Sequence, residues 1–179
     1  MRLLLAAVVL VVSLCATGTA RAQARSWQDE REEFIDRRRA LMIGLTAWAA
    51  ANVVGGTALL VTDPPGAAHD PASRSFRRGF GAMALLYGVL NAALAVGTLA
   101  TLPAFRDSLD GPEELHRQKR ASADVFVANV GLDMLYITVG SGLWTRGPSA
   151  LARGVGAGIV VQSAPLFAFD LAGSELYRR

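Results

Sequence analysis

Four stretches of this 179-residue chain are nearly free of charge and long enough to cross a lipid bilayer. They cover about residues 40–61, 79–103, 125–144 and 154–173. At about 1.5 Å rise per residue, roughly 20 helical residues span the roughly 30 Å hydrocarbon layer. Lipid offers the backbone no hydrogen-bond partners, so only helices and closed barrels cross it. The period-two alternation that a barrel requires is missing. The sequence therefore predicts an all-α fold, a transmembrane four-helix bundle.

Composition agrees: 52% of residues are hydrophobic, 18% are charged, and the mean hydropathy is +0.33. The charges lie between the apolar runs instead of being spread along the chain, as expected when the solvent is lipid. The net charge of +3 comes from arginines flanking the spans, with Lys119 the single lysine. Such arginines read as interfacial anchors. Neither a groove-sized basic face nor an aromatic–basic motif is present, so no nucleic-acid partner is expected. The expected partner is the bilayer, with a homo-oligomer or another membrane protein as possibilities.

The N-terminal "MRLLLAAVVLVVSLCATGTARAQA" has one arginine, an apolar stretch and then small residues. Ala20-Arg21-Ala22 fits the small-x-small cleavage pattern, so residues 1–22 read as a cleavable signal peptide, with an uncleaved anchor as the alternative. Cleavage would remove Cys15, the only cysteine, and with it any disulfide or thiolate chemistry. Residues 23–39 form a polar amphipathic segment, read as a solvated helix running into the membrane. The four-helix domain occupies 40–173, and 174–179 are a polar tail.

The connections carry helix breakers. "TDPPGAAHDPASRSFRR" reads as a loop or an amphipathic interfacial piece broken by its prolines and glycine, and Asp110-Gly111-Pro112 as a turn before a helix begun by Glu113 and Glu114. "TRGPSALAR" is short enough to set the third and fourth helices antiparallel. Orientation carries two opposed signals. A signal peptide puts the N-terminus outside the cytoplasm. Yet more arginine and lysine accompany the N-terminal segment, the Arg106–Arg120 connection and the C-terminus than the other side, which the positive-inside rule would place in the cytoplasm. The first hydrophobic segment usually dominates, so the N-terminus is assigned to the outside.

Each run has a polar residue near its centre: Asn52, Asn91, Asp133 with Asn129 one turn away, and Gln162. An aspartate at a helix centre opposes insertion by about 3 kcal/mol, and an unpartnered polar group in hydrocarbon costs several more. The four groups are therefore expected to meet inside the bundle and hydrogen-bond one another. Helical spacing puts Asn129, Asp133, Tyr136 and Gly140 on one face, and Trp48, Asn52, Gly55 and Gly56 on another. Gly81, Ala84, Gly88, Asn91 and Ala95 form a small-residue face, and Gly154-x-x-x-Gly158 is a close-packing signature. Asp170 sits nearer the interface, too far in depth from Asp133 for the two to act together.

Two readings of this polar level follow. In one it is a structural clamp holding a scaffold bundle in register. In the other Asp133 is the proton or cation site of a small transporter or channel component, because intramembrane carboxylates often mark pathways. No catalytic residue is expected: H-E-x-x-H, G-x-S-x-G and P-loop patterns are lacking. His69 and His116 lie in different connections on opposite faces, so neither a metal site nor a cofactor is expected.

The stretches "RRRALMIGLTAWAAANVVGG", "FGAMALLYGVLNAALAVG", "VFVANVGLDMLYITVG" and "VVQSAPLFAFDLAG" resemble an uncharacterised family of small bacterial membrane proteins with a signal peptide and four spans. Asn129-x-Gly131-Leu132-Asp133 and Phe169-Asp170-Leu171 carry the most specific likeness. The chain departs from that pattern at Gly81, Ala84, Tyr87 and Gly88, where the family's second span is more polar. The resemblance implies a multi-pass protein of the bacterial cytoplasmic membrane and supplies no activity.

Overall fold

The computed structural model describes residues 26–62 and 70–178, and within them four α-helices and no β-strand. These are α1 (Trp27–Val61), α2 (Pro71–Asp107), α3 (Pro112–Arg146) and α4 (Ala150–Arg178). All four are long and apolar enough to cross a membrane. The expected signal segment, Cys15 and His69 lie outside the described residues.

The helices extend beyond the apolar runs because capping, not hydropathy, sets their ends. At the start of α1 the Ser26 hydroxyl accepts from the Asp29 backbone N–H at 3.2 Å, and the Asp29 carboxylate accepts from the Ser26 backbone N–H at 3.3 Å. Asp70 caps α2, accepting from the backbone N–H groups of Ala72 and Ser73 at 3.0 and 3.2 Å, with Pro71 in the first helical turn. Residues 71–78, expected in a loop or amphipathic interfacial connection, are therefore helical and continuous with the span. The turn before Pro112 is present, with Glu113 and Glu114 in the first turn of α3.

The segment before the first span is not merely a solvated lead-in. Phe34 and Ile35 are 2% and 1% exposed. Phe34 packs edge-on against Tyr177 with ring centroids 5.2 Å apart, and against Phe105 at 6.1 Å. Its opposite face carries charges paired along the helix, such as Arg39 to Asp36 at 2.8 Å and Arg37 to Glu33. The segment is amphipathic, and its apolar stripe joins the common core.

Contacts fix the helix directions. Gly56 faces Leu85 while Gly88 faces Val53, so α1 and α2 run antiparallel. Gly140 faces Gly156 and Ile159 while Phe126 faces Gly173, so α3 and α4 also run antiparallel. Phe76 meets Gly154, Met83 meets Gly158 and Tyr87 meets Ser163, so α2 and α4 run parallel. The packing order is thus α1, α2, α4, α3, with α1 reaching α3 and α4 only locally. α2 and α3 make no extended contact, and a groove of about 710 Å³ lies between them.

Glycine makes the close packing possible. A Cβ on Gly154 would collide with the Phe76 carbonyl, and one on Gly56 would lie 2.5 Å from the Leu85 backbone nitrogen. Gly154 and Gly158 both contact α2, as the small-residue spacing suggests. Gly55, one residue from Gly56, faces open space, which corrects the expectation that both share the packed face.

Candidate functional site

The register brings Asn52, Asn91, Asp133 and Gln162 to similar heights along the helices but divides them into two groups. The first is joined by a hydrogen bond between helices. The Gln162 amide donates to the Asn52 side-chain carbonyl at 2.7 Å, and the Asn52 amide donates to the Trp48 backbone carbonyl at 2.9 Å. Asn52 and Gln162 are 7% and 2% exposed, so this chain ties α1 to α4 deep in the core. Beside it, the hydroxyls of Tyr87 and Ser163 approach to 3.4 Å.

The second group lies in the groove. Asn91 on α2, Asn129, Asp133 and Tyr136 on α3, and Asp170 on α4 all line it. Asp133 and Asp170 lie close enough to interact with each other, and Asn129 stands beside them on the same groove. The expectation that the two aspartates are too far apart in depth is therefore wrong. By residue count they differ by about one turn, but every helical side chain leans toward its own N-terminus. On antiparallel helices, Asp133 leans toward the level of Asn129 and Asp170 toward that of Leu166. The two leans close the gap.

The expectation that all four central groups bond one another is also corrected. The buried Asn91 Nδ2 and Asp133 Oδ2 have no hydrogen-bond partner, nor do Trp48 Nε1 and Gln162 Oε1 in the first group. Geometry explains the split. Asn52 and Gln162 sit where glycines let the backbones of α1, α2 and α4 approach, whereas α3 is held off α2. Asp133 is only 5% exposed even so. Tyr136 stands on the groove wall, 43% exposed.

The charged end of the groove is built by residues that sequence reasoning did not single out. Arg38 donates to the Ser122 hydroxyl at 3.5 Å and stacks over the Phe105 ring at 4.5 Å. Tyr177 lines the same end, and burial pushes its hydroxyl up to about 12, so it stays a neutral phenol. In the sequence Arg38 is one of three consecutive arginines, and nothing there distinguishes it from Arg37 or Arg39. Tyr87 and Ser163 were accessible to pattern reasoning, one turn before Asn91 and next to Gln162.

Among the described residues, no cluster of three or more His, Cys, Asp or Glu side chains could hold a metal ion. His116 is exposed on α3.

This architecture defines a class: an all-α protein with four helices fit to cross a membrane and a polar groove between two of them. A model of a family of unknown function, DUF6992, matches residues 44–171, and the chain belongs to that family. The matched region contains every residue of the two central polar groups and ends just past Asp170. No curated protein and no solved structure matches the chain.

Proposed function

We propose that this protein is a non-enzymatic, multi-pass membrane protein whose groove uses Asp133 and Asp170 to bind a proton or small cation. The observation that carries this reading is the adjoining carboxyl pair, set in an open groove with a buried Asp133 oxygen lacking a partner. Buried polar groups are normally satisfied, and an exception calls for an explanation. Two adjacent carboxyls away from water repel strongly when both are ionised, and one proton or cation between them removes that repulsion. Asn129 and Asn91 supply amide groups at the same height.

A structural role for part of the polar level is supported by a different observation, the interhelical Asn52–Gln162 bond. The two roles occupy different groups. In this reading the chain sits in the bacterial cytoplasmic membrane, with the N-terminal end of α1 outside if residues 1–22 are cleaved as a signal.

The test compares Asp133→Asn and Asp170→Asn with the parent protein in proteoliposomes. Infrared difference spectra would follow the protonated-carboxyl band on changing pH or adding sodium or potassium, and a pH-sensitive dye would follow flux. Either variant should lose the cation- or pH-dependent band shift of the pair while keeping its helical circular dichroism. If both variants keep the shift and any flux of the parent, the carboxyl pair is only structural.

A further inference from the structure

The charged end of the groove presents a cation without a counter-charge. Among the described residues, Arg38 is the one basic residue lining the groove. Its neighbours are a hydroxyl and an aromatic ring, with no carboxylate paired to it among the described residues. Three of the arginines at this end are matched, Arg37 to Glu33, Arg39 to Asp36 at 2.8 Å, and Arg106 to Glu32 at 2.9 Å, while Arg120 is exposed outside the groove. A guanidinium left unmatched amid paired neighbours invites an external anion, and its planar fork suits a phosphate.

The position of Arg38 narrows the source of that anion. It lies two residues before the apolar run that opens at Ala40, which is the depth of a headgroup. Below it every helix contributes apolar wall, with Met42, Leu45, Leu94, Phe126 and Leu166 among the lining, interrupted by Thr98, Asn129 and Asp170. Ser122 and Asp133 are about 16 Å apart along α3, roughly half of the 30 Å hydrocarbon layer. The groove thus has a cationic end at the interface and a mainly apolar channel that leads to the polar group around Asp133.

We propose that this end of the groove seats an anionic phospholipid of the surrounding leaflet, its phosphate on Arg38 and one acyl chain along the groove toward Asp133. The seat depends on the membrane placement proposed above, but not on the proton or cation site. A free inorganic anion would leave the apolar walls uncovered, and a zwitterionic lipid would bring its own cation to Arg38.

Thermal unfolding of the detergent-solubilised full chain tests the seat, with dioleoyl phosphatidylglycerol, dioleoyl phosphatidylcholine, oleate and inorganic phosphate as probes. Phosphatidylglycerol should raise the midpoint more than phosphatidylcholine, and Arg38→Gln should weaken its apparent affinity about ten-fold, the scale of one charge-assisted contact. Arg39→Gln, on the exposed side of the same turn, should keep the parent preference. Equal stabilisation by the two phospholipids, or a full preference retained in Arg38→Gln, overturns the seat. Oleate or phosphate acting in place of phosphatidylglycerol overturns the phospholipid assignment. Should Arg38→Gln fail to fold, the lipid comparison on the parent protein decides alone. Because Arg38→Gln leaves Asp133 and Asp170 in place, the carboxyl-band shift should survive in it, which separates this failure from that of the proton or cation site.

Discussion

The two sides of α2 use similar residues to opposite ends. Toward α1 and α4, Gly79, Gly81 and Gly88 are buried and let three backbones touch. Toward α3, Leu86, Leu90 and Leu94 are about half exposed or more, and no helix covers them. The same division applies to polar groups. Where backbones touch, Asn52 and Gln162 bond across helices, although Gln162 Oε1 has no partner; where helices stand apart, Asn91 Nδ2 and Asp133 Oδ2 have none. In lipid, helices gain little from burying leucine, so small residues decide which faces close and which remain a groove.

The most severe way to break the contrast is to force the closed side open. Gly154→Val should separate α2 from α4 at Phe76 and destabilise the protein by about 3 kcal/mol or more, because backbone cannot yield as a flexible side chain can. Gly131→Ala is the control change at an exposed glycine of α3, where an added methyl meets nothing within 4 Å. It should leave stability unchanged or raise it by up to about 1 kcal/mol, the helix-propensity gain. Thermal unfolding in one detergent would measure both. Similar losses in the two variants would mean that close packing does not set Gly154 apart.

A smaller effect is expected at the Asn52–Gln162 pair. Gln162→Leu leaves the Asn52 carbonyl without its donor in the core, at about 1–2 kcal/mol. Adding Asn52→Leu removes the stranded group, and the double variant should recover part of the loss. A double-mutant cycle should give a coupling of roughly 0.6 kcal/mol and at most about 1.7, the range for intramembrane hydrogen bonds. Zero coupling would mean that the bond is not part of what holds α1 on α4.

Much of this fold is legible in the sequence, for an identifiable reason. Runs without charge report where lipid is tolerated, and the helical spacing of Gly81, Ala84 and Gly88 reports a packed face. Helix ends are a separate signal, carried by Ser26 with Asp29 and by Asp70 with Pro71, so hydropathy alone assigns residues 71–78 to the connection and not to α2. Adjacent Gly55 and Gly56 look alike in one sequence, although only Gly56 meets α2. The site was half legible. Which residues are polar and central could be read, but the Asp133–Asp170 pairing depends on two side chains leaning together across antiparallel helices. Counting depth by residue number cannot register that.

The smallest expected effect lies at the charged end, where α1 and α2 are joined by exposed charges instead of glycine contacts. Glu32 accepts from Arg106 Nε at 3.1 Å and Nη2 at 2.9 Å, and from Arg31 at 3.2 Å. The Arg106 hydrogen bond holds the Glu32 carboxyl below its ordinary value, against a smaller opposing effect of desolvation. A carboxyl whose value is depressed on folding stabilises the fold above its unfolded value, about 4.3, and loses that contribution as pH falls through the folded value. Thermal midpoints of the parent and Glu32→Gln should therefore differ slightly near about pH 6 and converge by about pH 3. The difference should also shrink in about 1 M salt, which screens exposed pairs. A difference that stays constant through both changes would show that Glu32 acts through shape and not charge. The charged end would then be held, like the glycine interface, by packing, with Phe34 and Phe105 as its anchors.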